Sequence, residues 1–411
     1  MRMRRPAGWA VVCVALALVA AACGRPDNSS SGGGSASAPG VTDSQITIGG
    51  SYPLSGPLGP NGQAAAGGAK AVFDAVNAAG GVKMGDGKTR KIKFVYYDDG
   101  YDPAKTTQNF TKLVNQDNVF SLFQTFGTAP NIAIMPQANQ RKVPQVFVHA
   151  GDLLFSNQPD KNPFTIGWQP TYESEGQMYG KFLADQNKPM TVAVLRQADT
   201  LGAVFLQGLQ EGIAGSQVKL VGTQTYVPSD PSVDAQISKL KATNADALFM
   251  AVAIPPLMIS GLQHAKTLGW NPTVFMASMS SSINQILGPG KLTDNTKLYT
   301  ASFLKAPDNP ANKDDPAVKE YLERFKQYGG NANPYITNAQ WGYGAAQTFV
   351  AALEQLKTVT REGLMQEVRS LKTEVPLLQQ GLSYDGTRQP PIDKLYLDHF
   401  ENGTWTQVNG G

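Results

Sequence analysis

Apolar and polar positions along most of the chain alternate between two periods, that of a buried strand and that of an amphipathic helix. Ile46 to Ser51 reads as a buried strand, and after a glycine- and proline-rich loop Gln63 to Ala79 reads as an alanine-rich helix closed by Gly80-Gly81. Lys91 to Tyr97 is the next predicted strand, followed by helix Pro103 to Gln116, strand Val119 to Gln124, helix Asn131 to Gln140 and strand Val146 to His149. After Pro163 to Trp168 the rhythm restarts, with predicted helices over Tyr172 to Gln186, Leu201 to Ile213, Val233 to Thr243 and Pro256 to Leu268. Between and after them fall strands Thr191 to Leu195, Lys219 to Val227, Ala247 to Val252 and Thr273 to Ala277. A third stretch predicts helices near Pro316 to Tyr328, Ile336 to Leu356 and Arg361 to Leu371, then a strand pair near Leu382 to Tyr384 and Leu395 to His399. Strand and helix in alternation imply an α/β fold with two doubly wound, Rossmann-like units. In such sheets ligands collect beyond the carboxyl ends of the strands at a switch point, so two units facing each other make a cleft.

Composition changes this picture little. The 411 residues are enough for two domains, and 41% hydrophobic with 16% charged residues is globular composition. Three of the 35 basic residues are Arg2, Arg4 and Arg5, so the rest of the chain is balanced against its 32 acidic residues, which argues against nucleic acid as a partner. Cys13 and Cys23 are the two cysteines, leaving no disulfide for the later chain.

The first segment reads as an address. The arginines precede an apolar run from Ala7 to Ala22, a charged n-region and an h-region of signal-peptide length. Val19-Ala20-Ala21-Ala22-Cys23-Gly24 resembles a bacterial lipobox, with Ala20 where leucine is usual. That resemblance implies a signal peptide over 1–22, cleavage before Cys23 and lipidation of that cysteine. Arg4-Arg5 leaves the twin-arginine export route open beside the general one. Residues 23–41, with their serine and glycine run, then read as a flexible tether that holds the folded body at the outer face of the cytoplasmic membrane.

Several motifs invite a chemical reading and mostly lose it. Ser55 to Gly62 is glycine-rich after a strand but lacks the lysine and hydroxyl residue of a phosphate loop. Asp98, Asp99 and Asp102 read as turn and helix-cap residues before Pro103 rather than a carboxylate cluster. His264 and His399 have no metal-ligand spacing, and His149 at a strand end is as readily structural as ligand-binding. Ser278 to Ser282 shows no nucleophile elbow, and no nucleophile, base and orienter can be named together. Met250, Met258, Met276 and Met279 read as core and pocket lining, and Trp168, Trp270 and Trp341 as packing. No cofactor or metal is expected.

An ordered set of segments resembles the type I periplasmic solute-binding proteins of the leucine/isoleucine/valine kind. It runs from Ile46-Thr47-Ile48-Gly49 and Pro53-Leu54-Ser55-Gly56-Pro57 through Gly62, Gly68-Ala69 and Ala78-Ala79-Gly80-Gly81-Val82. Asp98-Asp99, Asp102-Pro103, Lys112-Leu113-Val114 and the Tyr343 helix continue it over nearly the whole mature chain. The resemblance implies two lobes, 42–166 plus 302–385 and 167–301 plus 386–411, joined by three hinge crossovers and closing on a ligand delivered to an ABC transporter permease. It places Asn61, Thr125, Gly127, Thr128, Ala150, Gly151 and Asp152 on the side that holds a carboxylate. On the other side it places Thr200 or Leu201, Ala253 and Met279, the last where a carboxylate for an amino acid's ammonium is expected. Either Asp152 supplies that charge from the first lobe or the ligand has no ammonium, so amino acid, carboxylate and amide stay open as solutes. A sensor acting on a membrane signalling partner, and an extracellular hydrolase, are the alternative readings.

Overall fold

The computed structural model describes residues 38–156, 158–384, 391–392 and 394–408; the signal, Cys23 and most of the tether, through residue 37, lie outside them. The first sheet is built from β1 (Gln45–Tyr52), β2 (Val82–Lys83), β3 (Thr89–Asp98), β4 (Ser121–Phe123), β5 (Gln145–Val148) and β6 (Thr165–Gly167). Their order is β2-β3-β1-β4-β5-β6, all parallel except the β2–β3 pair. Helices α1 (Gly59–Ala78), α2 (Pro103–Asn115) and α3 (Thr128–Gln140) connect them. Phe73, Phe94, Phe123 and Phe349 meet edge to face or tilted at 5.2 to 6.2 Å in the core under this sheet.

The chain then crosses to a second sheet through α4 (Tyr172–Ala184). Strands β7 (Met190–Gln197), β8 (Val218–Tyr226), β9 (Ala247–Ala251), β10 (Thr273–Met276) and β11 (Leu298–Ser302) alternate with α5 (Thr200–Ile213), α6 (Asp234–Lys241) and α7 (Pro255–Thr267). After β11 it returns to the first side as α8 (Pro316–Tyr328), α9 (Thr337–Gln355) and α10 (Arg361–Val368), and then β12 (Lys372–Thr373) and β13 (Leu382–Ser383). A third crossing reaches β14 (Tyr396–Glu401) and β15 (Thr404–Gln407), which complete the order β15-β14-β11-β10-β9-β7-β8. This is the doubly wound two-unit architecture expected from the pattern.

Both helix layers use glycine for close approach. A Cβ on Gly68 or Gly342 would strike a backbone carbonyl across the α1–α9 contact, and one on Gly208 would strike the Glu173 carbonyl across α4–α5.

The differences from the sequence pattern have physical reasons. Helices α1 and α3 start three or four residues before their predicted starts, because Pro60 and Pro130 sit in the first turn, where no N–H is needed. The predicted pairing of Leu382–Tyr384 with Leu395–His399 is wrong. β13 pairs with β12, while β14 pairs with β11 and, through the Asn402-Gly403 turn, with β15. Both turn residues have positive φ, 52° and 78°, as a two-residue hairpin requires. β6, at one edge of the first sheet, and β11, between β10 and β14 in the second, are strands that the pattern did not predict.

Each sheet has one switch point. The chain leaves β1 for β3 and later returns to β4 on β1's other side; likewise β7 lies between β8 and β9. The loops after β1, β4, β7 and β9 are therefore where ligand-binding groups are expected.

Candidate functional site

These four loops converge on a cavity of about 20 Å3. On the first-sheet side it is lined by Leu58 and Asn61 around the start of α1, Phe126 and Gly127 after β4, and His149 after β5. Tyr101 from the turn before α2, and Asn338 and Trp341 from α9, complete that wall. Opposite stand Leu201 in the first turn of α5, Ala253 after β9 and Met279 after β10, with Tyr172 at the start of α4. A water needs about 10 to 15 Å3 by this measure, so the walls must part before a solute can enter.

The first wall is organised by a chain of neutral hydrogen bonds. Asn61 Nδ2 donates to Asn338 Oδ1 at 2.9 Å, Asn338 Nδ2 lies 3.0 Å from His149 Nε2, and His149 Nδ1 lies 2.7 Å from Gln124 Oε1. Burial pushes the His149 imidazole down to about 3, so it is neutral. The network assigns its proton to Nδ1, with Nε2 accepting from Asn338. The ring stacks on Phe126 at 4.5 Å and lies 5.4 Å from Trp341.

The backbone behind this wall is unusual. Gln124 and Phe147, neither a glycine, have φ of 51° and 57°, and the β5–β6 register shifts between Val146 and Val148. Such strain persists only where surrounding structure enforces it. Gly127 has φ 97°, and a Cβ there would run into the Tyr101 ring.

The second wall is held from behind. Met279 sits in the turn Ser278–Ser280, fixed by the buried Glu175. Its carboxylate accepts from the Ser278 N–H at 2.8 Å and the Ser278 hydroxyl at 2.7 Å, with the Tyr179 hydroxyl 2.8 Å away. Burial outweighs these bonds and pushes the Glu175 carboxyl up to about 7. The Ala253 N–H donates to the Tyr226 hydroxyl at 2.9 Å, and Asp199 caps α5 by accepting from the Gly202 N–H at 3.2 Å.

Of the residues singled out from the sequence, Asn61, Gly127, Ala253 and Met279 line the cavity. Thr125 and Thr128 are buried outside the cavity lining; the Thr125 hydroxyl has no hydrogen-bond partner among the described residues, and the Thr128 side chain adjoins the Tyr172 phenol. Ala150, Gly151 and Asp152 border a neighbouring hollow of about 10 Å3 instead. Asp152 Oδ1 accepts from the Leu154 N–H at 2.9 Å, while the buried Oδ2 has no hydrogen-bond partner among the described residues. Burial raises the Asp152 carboxyl above the ordinary range, and Asp199 adds to this. Thr200 is exposed; its neighbour Leu201 faces the cavity in its place.

Leu58, Tyr101, Phe126, Tyr172 and Asn338 were not anticipated, and Trp341, expected in packing, is a wall residue. Asn338 and Trp341 are three apart on one helix face, and Phe126 is a large apolar residue in a loop between two threonines; both were readable signals. Tyr101 and Tyr172 carry no local mark. Asp98, Asp99 and Asp102 do serve turns and a cap: Asp98 accepts from Leu54 and Gly100 N–H groups, Asp99 from Ser51 and Tyr101, and Asp102 from Ala104. His264 contacts Ser238 at 2.8 Å, and His399 contacts the Thr296 carbonyl at 2.7 Å.

A larger groove of about 440 Å3 follows the second crossover and shares Trp341 with the cavity, but none of its lining comes from the loops after β1, β4, β7 or β9. Its charged groups already have partners, Lys305 on Asp315 at 2.9 Å and Asp308 on Ser282 at 2.7 Å.

Comparison with known proteins gives a consistent result. The sequence profile of the family described as periplasmic binding protein matches residues 45–403. The leucine-, isoleucine-, valine-, threonine- and alanine-binding protein of Pseudomonas aeruginosa is 23% identical over 370 residues, 87% of this chain and 90% of the relative. Among solved structures, the fatty acid ABC transporter substrate-binding protein from Thermomonospora curvata superposes with a TM-score of 0.78 at 22% identity, covering 90% of this chain and 93% of that one. A branched-chain amino acid ABC transporter protein from Thermus thermophilus with bound valine gives 0.77 at 17% identity, covering 90% and 96%.

Proposed function

Because the chain belongs to the periplasmic binding protein family, we propose that it is an extracytoplasmic receptor that captures a small organic solute between two lobes and delivers it to an ABC importer. The observation that carries this reading is the cavity formed where the switch-point loops of both sheets meet. The lobes are 42–166 plus 302–385 and 167–301 plus 386–411, hinged at the three crossings, and Cys23 is the lipidated anchor. Relatives named for branched-chain amino acids and for a fatty acid support an amino acid or another small carboxylate as the solute. The neutral, fully partnered His149 fits a binding wall rather than proton transfer.

The test is a thermal-shift screen of the detergent-solubilised full chain against amino acids, carboxylates and amides. A solute at a hundred times its dissociation constant is expected to stabilise by about 2.7 kcal/mol. Small-angle scattering should then show the particle contract relative to the solute-free protein. Turnover of the bound solute, or no stabilising solute in a broad library, overturns the reading.

A further inference from the structure

The turn that presents Met279 is tied to a group that can change charge, and the tie shares one proton between two acceptors. Tyr179 on α4 has a single hydroxyl proton, and Glu175 Oε1 and the Met276 carbonyl each lie 2.8 Å from its oxygen. The same oxygen accepts from the Ala301 N–H at 2.7 Å. Met276 ends β10 three residues before Met279, and Ala301 lies on β11, the strand that leads into the second crossing. Tyr179, Glu175 and Ser278 are 0%, 4% and 5% exposed, so these bonds are made within the protein.

The ionisation of Glu175 decides where the shared proton goes. As a carboxylate, Glu175 accepts on Oε1 from the Ser278 N–H and from Tyr179, and on Oε2 from the Ser278 hydroxyl. These three charge-assisted bonds fix the turn to α4, and the Met276 carbonyl keeps the Thr300 hydroxyl at 3.1 Å. A proton taken from water onto Oε1 reverses the order: Glu175 donates to the Tyr179 oxygen, and Tyr179 turns its own proton onto the Met276 carbonyl. The protonated oxygen is the poorer acceptor, so the Ser278 N–H is held less tightly. Burial pushes the Glu175 carboxyl up to about 7, so both forms are populated near neutral pH. Tyr179, on the same helix, is the titratable group that meets it. Among the described residues no charge on α5, the turn, β10 or β11 acts on Glu175. Nearby carboxylates are engaged elsewhere: Glu173 acts on Glu211 and Asp152, Asp308 accepts from Ser282 and the Asn284 N–H, and Asp398 on β14 is bonded to Ser302.

We propose that Glu175 is a proton-responsive positioning residue: ionised, it holds the Met279 turn against the cavity, and protonated, it releases that hold through Tyr179 and the Met276 carbonyl, so the second wall grips a solute less tightly below neutral pH. This rests on the receptor reading above, because it regulates the same cavity.

The experiment is NMR of the detergent-solubilised full chain labelled with [methyl-13C]methionine, titrated from about pH 5.5 to about pH 8.5. The Met279 resonance, assigned by its loss in Met279→Leu, should shift with a midpoint near 7, and Glu175→Gln should leave it flat. Met365 on α10 should move in neither. The Glu175→Gln comparison also separates Glu175 from Asp398, whose carboxyl burial pushes up to about 6. If that variant does not fold, Ser278→Ala, which removes one donor to the ionised form, should raise the midpoint by about one pH unit. Calorimetry with leucine and 4-methylpentanoate at both ends of the range reads the effect on the cavity. Whichever binds should bind at least about fivefold more tightly at the alkaline end, and the ratio should fall below about twofold in Glu175→Gln. A Met279 methyl that does not titrate, a titration that survives Glu175→Gln, or equal affinity at both ends overturns the inference and leaves the receptor reading standing. Binding of neither probe returns the receptor reading to its solute screen, and the methyl titration alone then upholds or overturns the inference.

Discussion

The two walls of the cleft are made in opposite ways. The first is polar in its foundations and aromatic at its face: a relay of side-chain amides and one neutral imidazole runs behind Phe126 and Trp341, on strands held in left-handed conformations at Gln124 and Phe147. The second is apolar at its face, with Leu201, Ala253 and Met279 carried on turns that are tied from behind by Glu175, Tyr226 and Asp199. A wall whose polar groups bond to each other is rigid and directional, whereas an apolar wall adds contact area with little directionality. The pair therefore suits one oriented end of a solute on the first side and a conforming cover on the second.

The sharpest way to break the comparison is at Gly127. Its φ of 97° is one that a β-branched residue rarely adopts, and a side chain there meets the Tyr101 ring. Combining backbone strain with overpacking, Gly127→Val is expected to destabilise by about 4 kcal/mol and to abolish solute binding. Denaturant unfolding and calorimetry check it; a stable variant that still binds would mean that the first wall is not rigid.

The walls also differ in how they respond to pH. His149 has its folded value depressed from 6.5 to about 3, so the stability it contributes is present above pH 6.5 and lost as pH falls toward 3. Glu175 has its folded value raised from 4.5 to about 7, so its contribution is complete below pH 4.5 and lost as pH rises through 7. Glu175→Gln removes the second titration. Relative to wild type, the variant should gain up to about 3 kcal/mol between pH 4.5 and 7, whatever constant offset the amide introduces. Parallel thermal unfolding of both proteins across that range measures the difference, and parallel curves would show that the second wall's tie does not titrate there.

How much of this was legible in the sequence follows the same division. The alternation of strand and helix was readable because each buried strand and each amphipathic helix carries its own period. The missed elements failed for local reasons. Pro60 and Pro130 looked like loop residues although the first helical turn accepts proline, and Asn402-Gly403 between Glu401 and Thr404 was an unread hairpin signal. At the site, the segments that follow β1, β4, β9 and β10 could be located from segment order, and Asn61, Gly127, Ala253 and Met279 came with them. Tyr101, Tyr172 and the Asn338–Trp341 pair arrive from other parts of the chain, and only the crossings between the sheets bring them together. Asp152 illustrates the limit from the other side. Its position in the segment was readable, but that its carboxylate borders a different hollow from Met279 depends on how the loop after β5 turns.

The smallest expected effect sharpens the contrast most finely. Asn338 is 3% exposed and bonds in both directions, accepting from Asn61 and donating to His149. Asn338→Ala leaves Asn61 Nδ2 without its acceptor and His149 Nε2 without its donor. Loss of a buried partner costs about 1 to 3 kcal/mol, so a destabilisation of about 2 kcal/mol is expected. Met279→Leu on the opposite wall changes shape at nearly constant volume and should cost less than about 1.5 kcal/mol. Chemical denaturation of the two variants side by side reads the difference directly. If Asn338→Ala proves the cheaper change, the hydrogen-bond relay is not what stiffens the first wall, and the strained backbone at Gln124 and Phe147 must hold it instead.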